Sequence, residues 1–163
     1  MLTIEDGSIV ASADSYATAA ELVTYAANYG RTIPGTEAAQ ESLLRRAFLQ
    51  MAAMPWKGHQ VDADQTGAWP RYGVCRNGFD ILPDVIPPQI KQGQMALATE
   101  IHADDLVDPA TKQGAITREK VGPLETEYAD AKAYAAAPAA ARQSYAQFAG
   151  LLESSSQPKL VRG

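Results

Sequence analysis

The stretch TEAAQESLLRRAFLQMAAMP, residues 36–55, decides the architecture. Thr36 reads as a helix cap, with Glu37 and Glu41 in the first turns behind it. Leu43, Leu44, Ala47, Phe48 and Met51 recur at helical spacing as an apolar stripe, and Arg45 and Arg46 lie mainly on the other side. Pro55 closes the segment, because a residue preceding proline is pushed out of the helical region. A helix over 36–53 with one apolar face must bury that face against something.

The flanking sequence supplies the partners. Upstream, Thr18 with Glu21 three residues later fits a capping box, in which side chains satisfy free backbone N–H groups at both positions. Leu22, Tyr25, Ala26 and Tyr29 share a face and Gly30 supplies the stop, giving a helix over 18–29. Residues 2–10 ahead of it read as a short extended lead-in broken at Asp6-Gly7. Downstream, Pro87-Pro88 starts a third helix. Its Ile90, Gln94, Leu97, Ala98, Ile101 and Asp105 trace an apolar face broken only at its ends, and it stops near 105, before Asp108-Pro109. A fourth helix is expected from about 138 to 152, with Pro138 at its start and Tyr145, Phe148, Leu151 and Leu152 on one face.

Between the last two helices, residues 115–129 change to Ile, Thr, Val, Glu and Tyr in rough alternation, the pattern of two short strands around Gly122-Pro123. A symmetric register places Lys120 opposite Glu125 and Arg118 opposite Glu127, both favourable cross-strand pairs. Proline cannot take the positive φ of a tight primed turn, so the expected loop is wider than two residues, or the segment is simply an extended arm. The alanine-rich 129–137 reads as a linker or a helical extension. The fold class is therefore mainly α: a small bundle of about four helices with a long irregular loop over 54–87, a short extended β arm and a flexible C-terminal tail. Residues 1–152 make one helical domain and 153–163 the tail.

Composition narrows the function. The 163 residues suit one domain, with 46% hydrophobic and 20% charged residues. Net charge is −5 and mean hydropathy −0.22. A protein whose main partner is a phosphate backbone usually carries a basic excess, since neutralising phosphates releases counterions. Cys75 is the single cysteine, so no intrachain disulfide forms and a reducing compartment is expected. No apolar run approaches the roughly 18 residues of a membrane span. The opening Met1-Leu2-Thr3-Ile4-Glu5-Asp6-Gly7 lacks the basic and apolar regions of a signal peptide, so a membrane-free protein used without secretion is expected.

Chemistry finds no candidate. His59, His102 and Cys75 stand far apart in sequence, so no metal site is expected, and no cofactor. Cys75 lies beside Arg76, which could lower its pKa, but a buried inert thiol is the better reading. No nucleophile elbow, P-loop or dinucleotide fingerprint occurs, and Asp62/Asp64 and Asp104/Asp105 read as solvated surface. The chain is not expected to be an enzyme. One cluster remains, in which Met54-Pro55-Trp56-Lys57-Gly58 and Gly67-Ala68-Trp69-Pro70-Arg71-Tyr72-Gly73 bring two tryptophans near Lys57, Arg71 and Arg76. Base stacking with phosphate contact is one reading of it. The favoured reading is structural: Trp56, Trp69, Pro70 and Arg71 pin an irregular loop against helices two and three.

Asp14-Ser15-Tyr16, Trp69-Pro70-Arg71-Tyr72-Gly73 and Ile86-Pro87 resemble a family of tailed-phage proteins. So do Arg118-Glu119-Lys120-Val121-Gly122-Pro123, Glu127-Tyr128 and the closing Val161-Arg162-Gly163. These are head–tail adaptors, also called head-completion or neck proteins, often labelled DnaT-like single-stranded DNA-binding proteins. The resemblance implies a structural connector subunit in the virion neck, made in the host cytoplasm. Its partners would be the portal protein, a stopper or tail protein, and copies of itself in a ring of about twelve. Genome DNA would pass through without sequence readout. It further implies that the tail tip Pro158, Lys159, Leu160, Val161 and Arg162 docks on the portal. Arg118, Lys120, Glu125 and Glu127 would serve an inter-subunit arm. A single-stranded DNA-binding module is the alternative.

Overall fold

Thr18 and Glu21 exchange hydrogen bonds as a capping box: the Glu21 N–H donates to Thr18 Oγ1 at 3.2 Å, and the Thr18 N–H donates to the Glu21 carboxylate at 2.8 Å. The helix that this opens, α1 (Ala19–Asn28), ends where Gly30 adopts φ +59°. These elements belong to a computed structural model that describes residues 1–106, 118–121, 124–127 and 142–153. Helix α2 is Glu37–Ala52 and α3 is Pro88–Leu106. Thr36 occupies the N-cap of α2 but its side chain makes no capping bond. Gln40 Nε2 instead donates to the Pro34 carbonyl at 2.8 Å, tying the helix to its own lead-in.

Helix α4 is Gln143–Phe148, shorter than the expected 138–152; residues 138–141 lie outside the described residues. The helix stops because Ala149 turns to ψ 129° and Gly150 to φ +83°. That turn sends both Phe148 and Leu151 into the core, where each is fully buried. Tyr145, expected on the same face, is exposed. The core joins Leu22 and Tyr25 of α1, Leu43, Leu44, Phe48 and Met51 of α2, Ile90, Leu97 and Ile101 of α3, and Phe148. Mainly α is therefore the observed class.

Two buried features hold the layers together. Gln94, fully buried on α3, sits in the middle of a face expected to be apolar. Its Oε1 accepts the Tyr16 N–H at 2.8 Å, and its Nε2 donates to Ser15 Oγ and the Leu44 carbonyl, both at 3.0 Å. A single amide thus links α3 to α2 and to the segment before α1, and no buried polar group among these is left unpaired. Gly93 is the second feature. A Cβ built there would lie 2.0 Å from Phe148 Cε1 and 2.6 Å from Cζ, so only glycine lets the ring rest on α3. Gly93→Ala is expected to lower stability by about 1–3 kcal/mol through overpacking, although alanine favours helix. Urea unfolding checks this; an unchanged or raised midpoint would refute the close packing.

The C-terminal segment is sewn to the body. Ser144 donates through its N–H and Oγ to the Glu100 carboxylate at 2.9 and 2.6 Å. The Lys57 N–H donates to the Leu151 carbonyl at 3.0 Å and the Glu153 N–H to the Pro55 carbonyl at 2.8 Å. Attachment therefore runs through Glu153. Residues 154–163 lie outside the described residues.

Three antiparallel strand pairs complete the described residues. Two, β1 (His59–Gln60) with β2 (Arg71–Tyr72) and β3 (Cys75–Arg76) with β4 (Phe79–Asp80), lie within the long loop. The third joins β5 (Arg118–Val121) to β6 (Leu124–Glu127). Its register pairs Arg118 with Glu127 and Lys120 with Glu125, as the sequence suggested. Pairing continues to Val121 and Leu124, so only two residues separate the strands, fewer than expected.

Candidate functional site

The loop from Met54 to Pro87 holds the cluster for which base stacking was weighed against the favoured structural role, and its tryptophans are buried. Trp69 is fully buried and Trp56 is 4% exposed. Trp56 stands edge-on to both Trp69 and Phe148, with ring centroids 5.9 and 5.0 Å apart, and its Nε1 donates to the Met51 carbonyl. Trp69 meets Pro70, also buried, through a cis peptide bond, and its backbone N–H donates to the Tyr16 hydroxyl at 2.9 Å. Neither indole face is available to a base.

Arg71 is committed as well. Its Nε donates to the Lys57 carbonyl at 2.8 Å, Nη1 to Ala68 at 3.1 Å, and Nη2 to Gly58 at 2.7 Å and Trp56 at 3.4 Å. Burial holds this guanidinium below its ordinary pKa. Lys57 Nζ donates to the Gly150 carbonyl. Gln65 completes the scaffold: its Oε1 accepts from Val61 and Asp62, and its Nε2 donates to Gly67 and Pro70. Where one helical turn was expected behind Asp62, these bonds make a turn, and the remainder carries two hairpins rather than irregular chain.

Cys75, expected buried, is exposed. Strand alternation explains this, since its neighbour Val74 is turned inward at 1% exposure and Cys75 outward. The outer surface of the loop carries Tyr72, 50% exposed and tilted against His59 with ring centroids 5.4 Å apart, and Phe79, 77% exposed. Asp62, Asp64, Asp80 and Asp84 are exposed around them. Of the other expected site residues, Arg118, Lys120, Glu125 and Glu127 are placed by strand register, and Pro158, Lys159, Leu160, Val161 and Arg162 lie outside the described residues. Among the described residues no group of three or more His, Cys, Asp or Glu is placed to hold a metal, and no helix is long and apolar enough to cross a membrane.

An open cleft of about 420 Å³ lies between α1 and α3, lined by Glu21, Thr24, Tyr25, Tyr29, Gln92 and Met95. Tyr25 stacks on Tyr29 at 4.4 Å, and its hydroxyl is buried without a hydrogen-bond partner. Burial pushes its pKa up to about 12, and burial raises Tyr16 further. Both phenols are held neutral in the fold, so the stability they contribute is full below the ordinary value of 10.0 and is lost as pH climbs through the raised values. Thermal melting between about pH 9 and 12 is expected to show this decline. Tyr25→Phe, which removes an unpaired buried hydroxyl, should flatten the slope and leave neutral-pH stability equal or higher. A steeper slope in that variant would contradict the assignment.

A family model described as "Putative DnaT-like ssDNA binding protein" matches residues 1–163. Its description names single-stranded DNA and no virion component. No curated protein and no solved structure matches the chain. Matched from its first residue to its last, the chain belongs to this DnaT-like family.

Proposed function

We propose that the chain is a non-enzymatic connector subunit of a tailed-phage neck, for which single-stranded DNA is a weak, salt-sensitive ligand. Copies of it would form a ring beneath the portal protein and join it to a stopper or tail protein. The observation that carries this reading is the loop: both tryptophans are inside, and Arg71 is used on carbonyls. With a net charge of −5, the chain is better suited to let DNA pass than to grip it. The sequence resemblance supplies the virion setting. In this reading β5–β6 reaches a neighbouring subunit, since two strands alone are marginal in water. Pro158–Arg162 would add as a strand to the portal, weak singly but multiplied by the ring.

Family membership favours the second reading, a single-stranded DNA-binding module, over the connector. Its bases would stack on Tyr72 and Phe79 rather than on the tryptophans, with Arg76 facing the phosphates. Two measurements separate the readings. Fluorescence anisotropy with an unstructured oligonucleotide at ~0.15 M salt is expected to give a Kd weaker than about 10 μM. Co-purification with the portal protein is expected to give rings, and removing residues 154–163 should abolish attachment while leaving helix content intact. Sub-micromolar DNA affinity that is lost in Tyr72→Ala and Phe79→Ala, with no portal attachment, would establish the DNA reading instead.

A further inference from the structure

Phe79, Leu82 and Val85 form an exposed apolar ridge at 77%, 63% and 40% exposure. Ile81 and Ile86, between and after them, pack against the core, so the segment has a fixed inner side. It is also held from behind: Gly7, at φ +111°, approaches the Asp84 carbonyl so closely that a Cβ would lie 2.1 Å from it. A rigid ridge with this much apolar surface facing water marks a contact site. Asp80 and Asp84 flank it, both exposed, and no cation among the described residues pairs with either.

The attached end of the C-terminal segment lies close by. A Cβ built on Gly150 would lie in van der Waals contact with Arg76, 3.5 Å from its Cγ, and Arg76 is the cross-strand partner of Phe79. The last anchored residue is Glu153, and ten residues follow it. Six of them, to Lys159, span up to roughly 20 Å when extended, enough to travel the length of the hairpin and the turn after it. Their chemistry complements the ridge, with Leu160 and Val161 as apolar anchors and Lys159 and Arg162 as cations on either side.

We propose that the ridge Phe79–Leu82–Val85 is the docking site of the chain's own segment 158–162, with Lys159 and Arg162 facing Asp80 and Asp84. The contact is intramolecular and shallow, sustained by the short tether rather than by area. A partner that captured the tail would uncover the ridge, so tail engagement and ridge exposure would be linked. That linkage rests on the connector reading; the contact itself does not, and its test involves neither portal nor DNA.

The test uses full-length protein and amide hydrogen exchange over residues 79–86. Wild-type protein is expected to show about tenfold more protection there than Lys159→Glu/Arg162→Glu, the ratio for a contact of ~0.1 mM facing an effective concentration near 1 mM. Asp80→Lys/Asp84→Lys should lose the same protection, and combining all four substitutions should restore it. Equal protection in wild type and in the tail variant would overturn the proposal, as would failure of the fourfold variant to recover. Protection that grows with protein concentration would overturn it too, by assigning the tail to a second copy.

Discussion

Trp69→Ala is expected to destabilise the protein by about 3 kcal/mol, at the lower end of the range for a buried tryptophan. The ring is fully buried and packs edge-on to Trp56, which packs in turn on Phe148 of α4. Deleting it opens a cavity in the core cluster beside Trp56 and Tyr16. The value stays low because Trp69 Nε1 is buried with no partner, and alanine removes that unpaired donor. For a chain of this size the midpoint should fall by roughly 6–12 °C. Trp69→Phe separates the two effects: it keeps most of the apolar volume and drops the N–H, so its loss should stay below about 1.5 kcal/mol. An unchanged melting temperature for Trp69→Ala would place the ring outside the core and return it to the candidates for base stacking.

How far the sequence carried this far depends on the kind of signal. The first three helices were legible because their determinants are local: the Thr18–Glu21 box, the Gly30 stop and the prolines at 55, 87 and 88 each act within one turn. The β5–β6 register was legible because opposite charges at alternate positions admit one symmetric pairing. The loop hairpins were missed because each strand is two residues long, below any usable periodicity. Asn77-Gly78, both at positive φ, was nonetheless a readable turn signal between β3 and β4. The role of Gln94 was not legible for a different reason. A polar side chain in an apolar face is explained only by partners 50 to 79 residues away, which no local pattern reports. The end of α4 follows the same rule, since Gly150 turns the chain to bury Leu151 in a core that other segments build.

Arg71→Lys tests the loop's role without changing its charge, and is expected to cost about 2–4 kcal/mol. The guanidinium spans four carbonyls, of Trp56, Lys57, Gly58 and Ala68, which belong to both ends of the loop segment that β1 and β2 close. A lysine nitrogen is a single point on a flexible stem and cannot meet acceptor carbonyls arranged for a planar fork. Three short bonds to a charged group would reduce to one, and the carbonyls left over would be only partly rehydrated, because Arg71 is half-buried among them. Gly58, held at φ +68° where a Cβ would press on the Tyr72 carbonyl at 2.3 Å, depends on the same bonds to keep its place. Urea unfolding should therefore show a clear loss, accompanied by faster amide exchange across His59–Gln60 and Arg71–Tyr72. Anisotropy on the same protein decides the functional side. If Arg71 served phosphate, the retained positive charge would preserve most of the DNA affinity and stability would not change. If it pins the loop, stability falls while the weak, salt-sensitive DNA binding stays where the net charge sets it. A stable Arg71→Lys protein would remove the main physical support for the connector reading and leave the DNA-binding reading, which the family already favours, as the stronger one.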